Sequence, residues 1–226
     1  MEPTVMLYRF MGPDAALHTL ESLRLRVGRL ASLNDPFDCA PHFLSSDGDE
    51  FQRTMCDIMP RLFHGRNETL GVVSFTRTWK EPVMWSHYAD SHRGIAIVLR
   101  RPKGTDLLRV KYSRTRPNIP LGWILDPERN EQTAAAIVDS FNVKSLTWKY
   151  EKETRILVKL AGCEVSGGHY FIKIPPDYLI GVIPGLRCAY SPEYVRQLFT
   201  AHSLSRVHVW RARKSNTTFA LDRELV

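Results

Sequence analysis

Glu151, Glu153 and Arg155 stand at alternate positions after Trp148. Two carboxylates this close can divide labour. One stays ionised and stabilises a developing cation, while the other takes or gives a proton. A neighbouring guanidinium keeps one of them ionised. Two other segments carry matching chemistry: Tyr8-Arg9 in TVMLYRF (4–10) and Ser74-Phe75-Thr76 at the end of TLGVVSFT (69–76). All three segments read as strands, whose side chains alternate between faces. Val5, Leu7 and Arg9 then share one face of the first, and Met6, Tyr8 and Phe10 the other. Leu70, Val72, Ser74 and Thr76 share a face of the second, and Glu151, Glu153 and Arg155 a face of the third. If the three strands are neighbours, Arg9, Ser74, Thr76 and Glu153 border one cleft. If they are not, each faces water, and the late glutamates form a charge ladder on an edge strand.

The densest run of polar and aromatic residues is Met84-Trp85-Ser86-His87-Tyr88-Ala89-Asp90-Ser91-His92-Arg93-Gly94. On a helix, Trp85 and Tyr88 are i, i+3 neighbours, and Tyr88 and His92 are i, i+4. Such a wall of rings can stack a planar ligand or donate to phosphate; equally, Trp85 and Tyr88 can be core anchors. His87 and His92 sit five apart, on different helix faces, which disfavours a shared metal ion. The other unusual stretch is Asn34-Asp35-Pro36-Phe37-Asp38, rich in turn formers. It reads either as a structural turn or as a loop in which Asn34, Asp35 or Asp38 orients a substrate or a catalytic side chain.

The elements that must position these residues follow from periodicity. Leu17, Leu20 and Leu23 repeat at helical spacing after Pro13-Asp14, and residues 24–33 alternate apolar and basic side chains as a short extended segment. Phe51, Met55, Ile58 and Leu62 mark a helix interrupted by Pro60. Glu81-Pro82 opens a helix through Asp90. IAIVL (95–99) is a buried strand, with LLRVKY (107–112) its expected partner. A helix runs from Asp126-Pro127 to about Phe141. Strands follow at 154–160, 170–174 and 178–183, then a helix from Ser191-Pro192 to His202 and a strand at 207–210. Helices and strands do not alternate as βαβα, so the expectation is one α+β domain over residues 1–226, with a split, mainly antiparallel sheet and peripheral helices. Neither a G-x-G-x-x-G fingerprint nor a Walker A loop occurs.

The chain carries +7 formal charge over 226 residues. Such a balance favours anionic partners. The charge is densest at 100–116, where Arg100, Arg101, Lys103, Arg109, Lys111, Arg114 and Arg116 face Asp106 alone. That strip is either a solvated surface or a contact for nucleic acid or an acidic protein. No apolar run approaches the roughly 20 residues of a bilayer span. The N-terminus lacks the pattern of a secretory signal. Cys39, Cys56, Cys163 and Cys188 form no C-x-x-C pair, so a cytoplasmic protein with free thiols and no membrane association is expected.

Taken in order, LYRF (7–10), NDPFDC (34–39), SFT (74–76), MWSHYADSHRG (84–94), VKY (110–112), WKYEKETRI (148–156) and DYLIGVIPG (177–185) resemble a widespread bacterial family known mainly as a domain of unknown function. A more distant resemblance is to the ADP-ribosyltransferase superfamily. It implies an α+β domain whose split sheet grips NAD as substrate. Under that resemblance Tyr8 and Arg9 fill the first-strand role, Ser74 and Thr76 the middle-strand role and Glu153 the late glutamate. Glu151 completes a Glu-x-Glu pair as the base that activates a nucleophile. Trp85 or Tyr88 stacks the nicotinamide, with His87 and His92 beside it. Phe10-Met11 departs from the pattern, which often has a small residue there. Three function classes follow: an NAD-cleaving transferase, possible in a toxin or phage-defence setting; a non-enzymatic module binding nucleic acid or protein; and a hydrolase or nuclease using His87, His92, Asp35 or Asp38.

Overall fold

The computed structural model describes residues 3–40, 42–44, 50, 53–58, 69–102, 104, 106–204 and 206–226. The strands described are β1 (Thr4–Met11), β2 (Arg24–Arg29), β3 (His42–Leu44), β4 (Leu70–Thr76), β5 (Ile95–Pro102), β6 (Leu108–Arg109), β7 (Lys111–Ser113), β8 (Asn118–Pro120), β9 (Val143–Ser145), β10 (Glu153–Lys159), β11 (Glu164–Ser166), β12 (His169–Lys173), β13 (Leu179–Pro184), β14 (His208–Lys214) and β15 (Leu221–Leu225). The helices are α1 (Pro13–Ser22), α2 (Pro82–Tyr88), α3 (Leu121–Leu125), α4 (Asn130–Ser140) and α5 (Pro192–Ala201). Residues 53–58 are also helical. Phe51, Pro60, Leu62 and Lys103 lie outside the described residues.

The architecture is α+β, with one large, mainly antiparallel sheet. Its strand order is β11-β12-β2-β4-β1-β5-β13-β14-β15, with β10 on the other edge of β4 and β6 beyond β10. Within that sheet β13 and β14 run parallel. The apolar run at 95–99 makes β5 a central strand, buried on both faces between β1 and β13. The expected partner at 107–112 does not pair with it. That segment breaks at buried Val110 into β6, which joins β10, and β7, which runs parallel to β9. Leu108-Arg109 is thereby spent closing the outer edge of β10.

The sheet is covered on both faces. Leu7, Val73, Phe75, Ile97 and Val182 pack against Ala16 and Leu20 of α1 and Val195 and Phe199 of α5. Tyr8, Phe10, Ala96, Val98 and Ile183 pack against Met84 and Trp85 of α2. A third cluster joins Cys39, Phe43, Ile119, Ile137 and Phe141, and fixes the 34–39 loop against α4.

The feature that opens the site is a divergence. Both β1 and β2 use the same edge of β4. β2 pairs at its start, Gly28 with Val72 and Arg29 with Gly71. β1 pairs at its end, Tyr8 with Thr76. Between them, Val73, Ser74 and Phe75 have no ladder partner on that edge, and the sheet splits over Ser74. The opposite edge of β4 is continuous with β10, which sets Glu153 beside Thr76 and Arg155 beside Ser74.

The turn after α2 is built under backbone strain. Asp90, Ser91 and His92 adopt φ of 46°, 53° and 69° in succession. The run is closed by Ser91 N–H to Ser86 O, His92 N–H to Trp85 O and Gly94 N–H to Ala89 O. It delivers Gly94 against β1, where a Cβ would fall 1.9 Å from Met11 O. Gly94→Ala should therefore cost about 3 kcal/mol, at the upper end for overpacking, and lower Tm by roughly 6–12 °C. Gly122→Ala is the control: no atom lies within 4 Å of its Cβ position, and alanine in a helix gains up to about 1 kcal/mol. Thermal denaturation of both variants checks this.

Candidate functional site

The split opens into a cleft of about 480 Å³. Its lining combines Tyr8, Arg9 and Phe10 of β1 with Arg26 and Gly28 of β2, Ser74 and Thr76 of β4, and Tyr88 of α2. Asn34, Asp38, Lys144, Glu151 and Glu153 also line it. The three strands expected to be neighbours are neighbours, and Tyr8, Arg9, Ser74, Thr76, Glu151 and Glu153 meet in one hollow, with Asn34, Asp38 and Tyr88 at its wall.

The floor is a buried ionic cluster. Arg155 on β10 is 1% exposed. A guanidinium at that depth needs several acceptors. Its Nε donates to Glu153 Oε1 at 3.0 Å and its Nη2 to Glu153 Oε2 at 2.8 Å. Its Nη1 and Nη2 donate to the two Asp38 carboxylate oxygens at 3.0 and 3.2 Å. Nη1 also donates to Phe141 O at 2.8 Å. Lys144 Nζ supplies the second cation, 2.6 Å from Glu151 Oε2, 3.3 Å from Glu153 Oε2 and 3.4 Å from Asp38 Oδ2. Three acids share two bases. Tyr88 Oη donates to Glu151 Oε1 at 2.5 Å and accepts from Asn34 Nδ2 at 3.2 Å.

The two glutamates converge by a route that alternation did not predict. Glu151 is not in a strand. It closes a 3-10 turn over Leu146–Glu151, and Lys152 follows in the left-handed region with φ 47°. That single residue turns the chain into β10, so both carboxylates reach Lys144. Tyr112 Oη receives the Glu153 N–H at 2.7 Å, and Arg77 Nη1 donates to Glu153 O at 3.1 Å.

The environments drive the pair apart. Burial pushes the Glu151 carboxyl above the usual carboxylate range, against the pull of Lys144 and the Tyr88 hydrogen bond. Burial opposes ionisation at Glu153 as well, but Arg155, then Lys144 and the Ser74 hydroxyl outweigh it and hold Glu153 below that range. Burial raises Tyr88, and its bond to Glu151 adds to the rise. For Lys144 burial works downward, yet the three carboxylates prevail and hold it above its ordinary value.

Several expected residues sit elsewhere. Trp85 is fully buried beneath β1, edge-on to Phe10, with Nε1 donating to Trp79 O at 2.7 Å. It is a core anchor and does not line the cleft. His92 stacks flat on Trp85, rings 5.8 Å apart, because the left-handed turn carries it away from the helix face shared with Tyr88. His87 is exposed beside Tyr150, whose Oη lies 3.3 Å from its Nδ1. Asp35 is a turn former, accepting the Phe37 N–H at 2.9 Å. Among the described residues no group of three or more His, Cys, Asp and Glu side chains is placed to share an ion. The strip at 100–116 is partly neutralised by Arg101–Asp106 and Lys111–Asp139 pairs, and Arg116 lies over Phe37.

Lys144 is the residue that sequence reasoning missed. It stands alone in NVKS (142–145), with no motif around it, and only the tertiary pairing of β9 brings it inward. Arg26 had a weak signal in the alternating basic run at 24–33.

Residues 84–156 match the family described as "Protein of unknown function (DUF2971)". The match spans α2 to β10 and includes Tyr88, Lys144, Glu151, Glu153 and Arg155. Comparison with curated proteins and with solved structures gave no match. Among the described residues no helix is long and apolar enough to cross a membrane.

The opposite shifts have opposite signs in stability. Glu153, held low, stabilises the fold above the ordinary carboxylate pKa, and that contribution is lost as pH falls through its folded value. Glu151, held high, contributes fully below the ordinary value and loses its contribution as pH rises through its folded value. At pH 7 Glu153→Gln should therefore cost about 3 kcal/mol, as expected when one partner leaves a buried pair. Glu151→Gln should cost under about 1 kcal/mol, since a neutral group there needs no desolvation. Urea unfolding of both variants at about pH 3, 5 and 7 checks the sign: the Glu153→Gln penalty shrinks toward the lowest pH, and any Glu151→Gln penalty shrinks toward the highest.

Proposed function

We propose that the protein is an ADP-ribosyltransferase-like enzyme that cleaves the nicotinamide–ribose bond of NAD and passes ADP-ribose to a macromolecular acceptor. The observation carrying this reading is the pair of buried carboxylates that share Lys144 on one cleft floor, one backed by Arg155 and the other by Tyr88; burial pushes Glu151 up while Arg155 holds Glu153 down. Paired acids tuned in opposite directions mark a division of acid and base roles. The split above Ser74, with Arg9 at one wall, supports it further.

Breaking that glycosidic bond builds positive charge on the ribose. Glu153, kept ionised by Arg155, answers that charge with a fixed negative one. The surplus acid in the cluster acts in the same direction. Ser74 and Tyr112 fix the strand end that carries Glu153. Glu151 takes the proton of the incoming nucleophile, and its raised proton affinity suits a base working near neutral pH. Tyr88, hydrogen-bonded to Glu151 and facing the cleft, is the group a nucleophile would meet first. Arg100, Arg109 and Arg114 are exposed and make no ion pair among the described residues. They favour an anionic acceptor, a nucleic acid or an acidic protein. Modification of host components in toxin or phage-defence chemistry fits such an acceptor.

The test is release of free nicotinamide from NAD by the purified protein. Glu153→Asp keeps the charge but draws the carboxylate back by one methylene. A displacement of about 1 Å costs on the order of 100-fold. Glu151→Gln should lose roughly 100-fold or more in transfer to an acceptor. Absence of nicotinamide release by the wild type, or an undiminished rate in Glu153→Asp, overturns the proposal.

A further inference from the structure

We infer that Arg26, rather than Arg9, binds the phosphates of the cleft's ligand, and that the ligand class is a nucleoside diphosphate. The inference rests on reading the cleft as an NAD site and divides the work between its two arginines.

Arg9 is already engaged. In the β1 ladder it shares a face with Leu7 and Met11, opposite Tyr8, whose partner is Thr76. It therefore starts on the face away from Ser74 and Glu153, and reaches the cleft only edgewise through the split. There its Nη1 donates to Ser74 O at 3.3 Å and its Nη2 to Arg26 O at 2.8 Å. Those carbonyls belong to β4 and β2, on the two sides of the gap that β1 and β2 leave. The guanidinium fork that would grip a phosphate is spent satisfying backbone that the split leaves unpaired. Arg9 is a clamp.

Arg26 is placed differently. Gly28 pairs with Val72, so Arg26, two residues earlier, rises on the face of Val72, Ser74 and Thr76. That is the face of Glu153 and Arg155. Leu25 and Val27 on either side of it are buried in the opposite core. The Arg26 side chain is exposed, lines the cleft and makes no ion pair or side-chain hydrogen bond among the described residues. Gly28 on the same face presents no side chain beside it. The two guanidiniums stand close enough that burial and then Arg26 depress Arg9 to about 10. Like charges held together without a carboxylate between them make a site for an anion. The cleft is thus two-ended, with acids beyond Ser74 and cations before it. A diphosphate at the Arg26 end leaves its attached ribose to run toward Glu153.

Titration calorimetry with ADP-ribose, ADP, pyrophosphate and adenosine tests this at about 0.1 M salt. The wild type should bind ADP and ADP-ribose, with adenosine much weaker. Arg26→Ala should weaken ADP by roughly tenfold or more, and Arg26→Lys by less, since a lysine keeps charge but loses the fork. Both should melt as the wild type does, while Arg9→Met should melt lower because two carbonyls lose their donor. Unchanged ADP affinity in Arg26→Ala, or no binding of any phosphate compound by the wild type, overturns the inference. Nicotinamide release with unchanged ADP affinity in Arg26→Ala keeps the enzyme and discards Arg26. Loss of ADP binding in Arg26→Ala, with no nicotinamide release by the wild type, keeps Arg26 and discards NAD cleavage.

Discussion

A guanidinium taken wholly out of water must be surrounded by acceptors, and Arg155 obtains them from three places in the chain. Asp38 arrives on the loop after β2, Glu153 from two residues earlier on β10 and Phe141 from the end of α4. Cys39, beside Asp38, places its Sγ 3.1 Å from Nη1. The Asp38, Cys39 and Phe141 contacts fix segments that lie outside the strand ladders. The 34–39 loop, in particular, has a left-handed residue at Cys39 and an Asx turn at Asp35. These local devices shape the loop, and the ion pair holds it to the sheet. Removing either side would leave a charge stranded in the core, at a cost of about 3–5 kcal/mol. The cleft floor exists because Arg155 gathers its walls.

That dependence explains what the sequence could and could not reveal. The strand positions of Arg9, Ser74 and Glu153 were readable, because a two-residue period and apolar neighbours mark strands locally. Their adjacency was a guess that the register of β4 with β1 and β10 supports. The Glu151–Glu153 convergence looked like strand alternation but comes from a left-handed Lys152, and no local pattern distinguishes an αL lysine from an extended one. The aromatic run at 84–94 was conspicuous for a different reason than ligand stacking. Trp85 anchors a helix under β1, and three successive left-handed residues then bring Gly94 to touch Met11. Lys144 was invisible, since a single lysine in a polar stretch acquires meaning only through β9 and its parallel partner β7.

The split is also costly, and Arg9 offsets the cost. Strands β1 and β2 leave a common edge of β4, and Arg9 donates to the Ser74 and Arg26 carbonyls that face the gap. One planar group with five N–H donors spans the gap. This explains why an arginine occurs in a strand whose neighbours Leu7 and Met11 are core residues, and why a chemical role for it need not be the first one to suspect. The opening is maintained from within the sheet, so the helices on either face are free to seal the cores.

The floor holds an odd acid. Three carboxylates against two cations leave the floor cluster with one acid in excess, and a low-dielectric interior resists that imbalance. Burial accordingly pushes the Glu151 carboxyl above the usual carboxylate range, and Tyr88 donates to it. A ligand that brings a positive group to this surface supplies the missing compensation and loosens the hold of the Glu151 carboxyl on a proton. Occupancy of the hollow is thereby tied to the surrounding medium's capacity to absorb an acid equivalent, and the heat of docking will carry the ionisation enthalpy of whatever buffer is present.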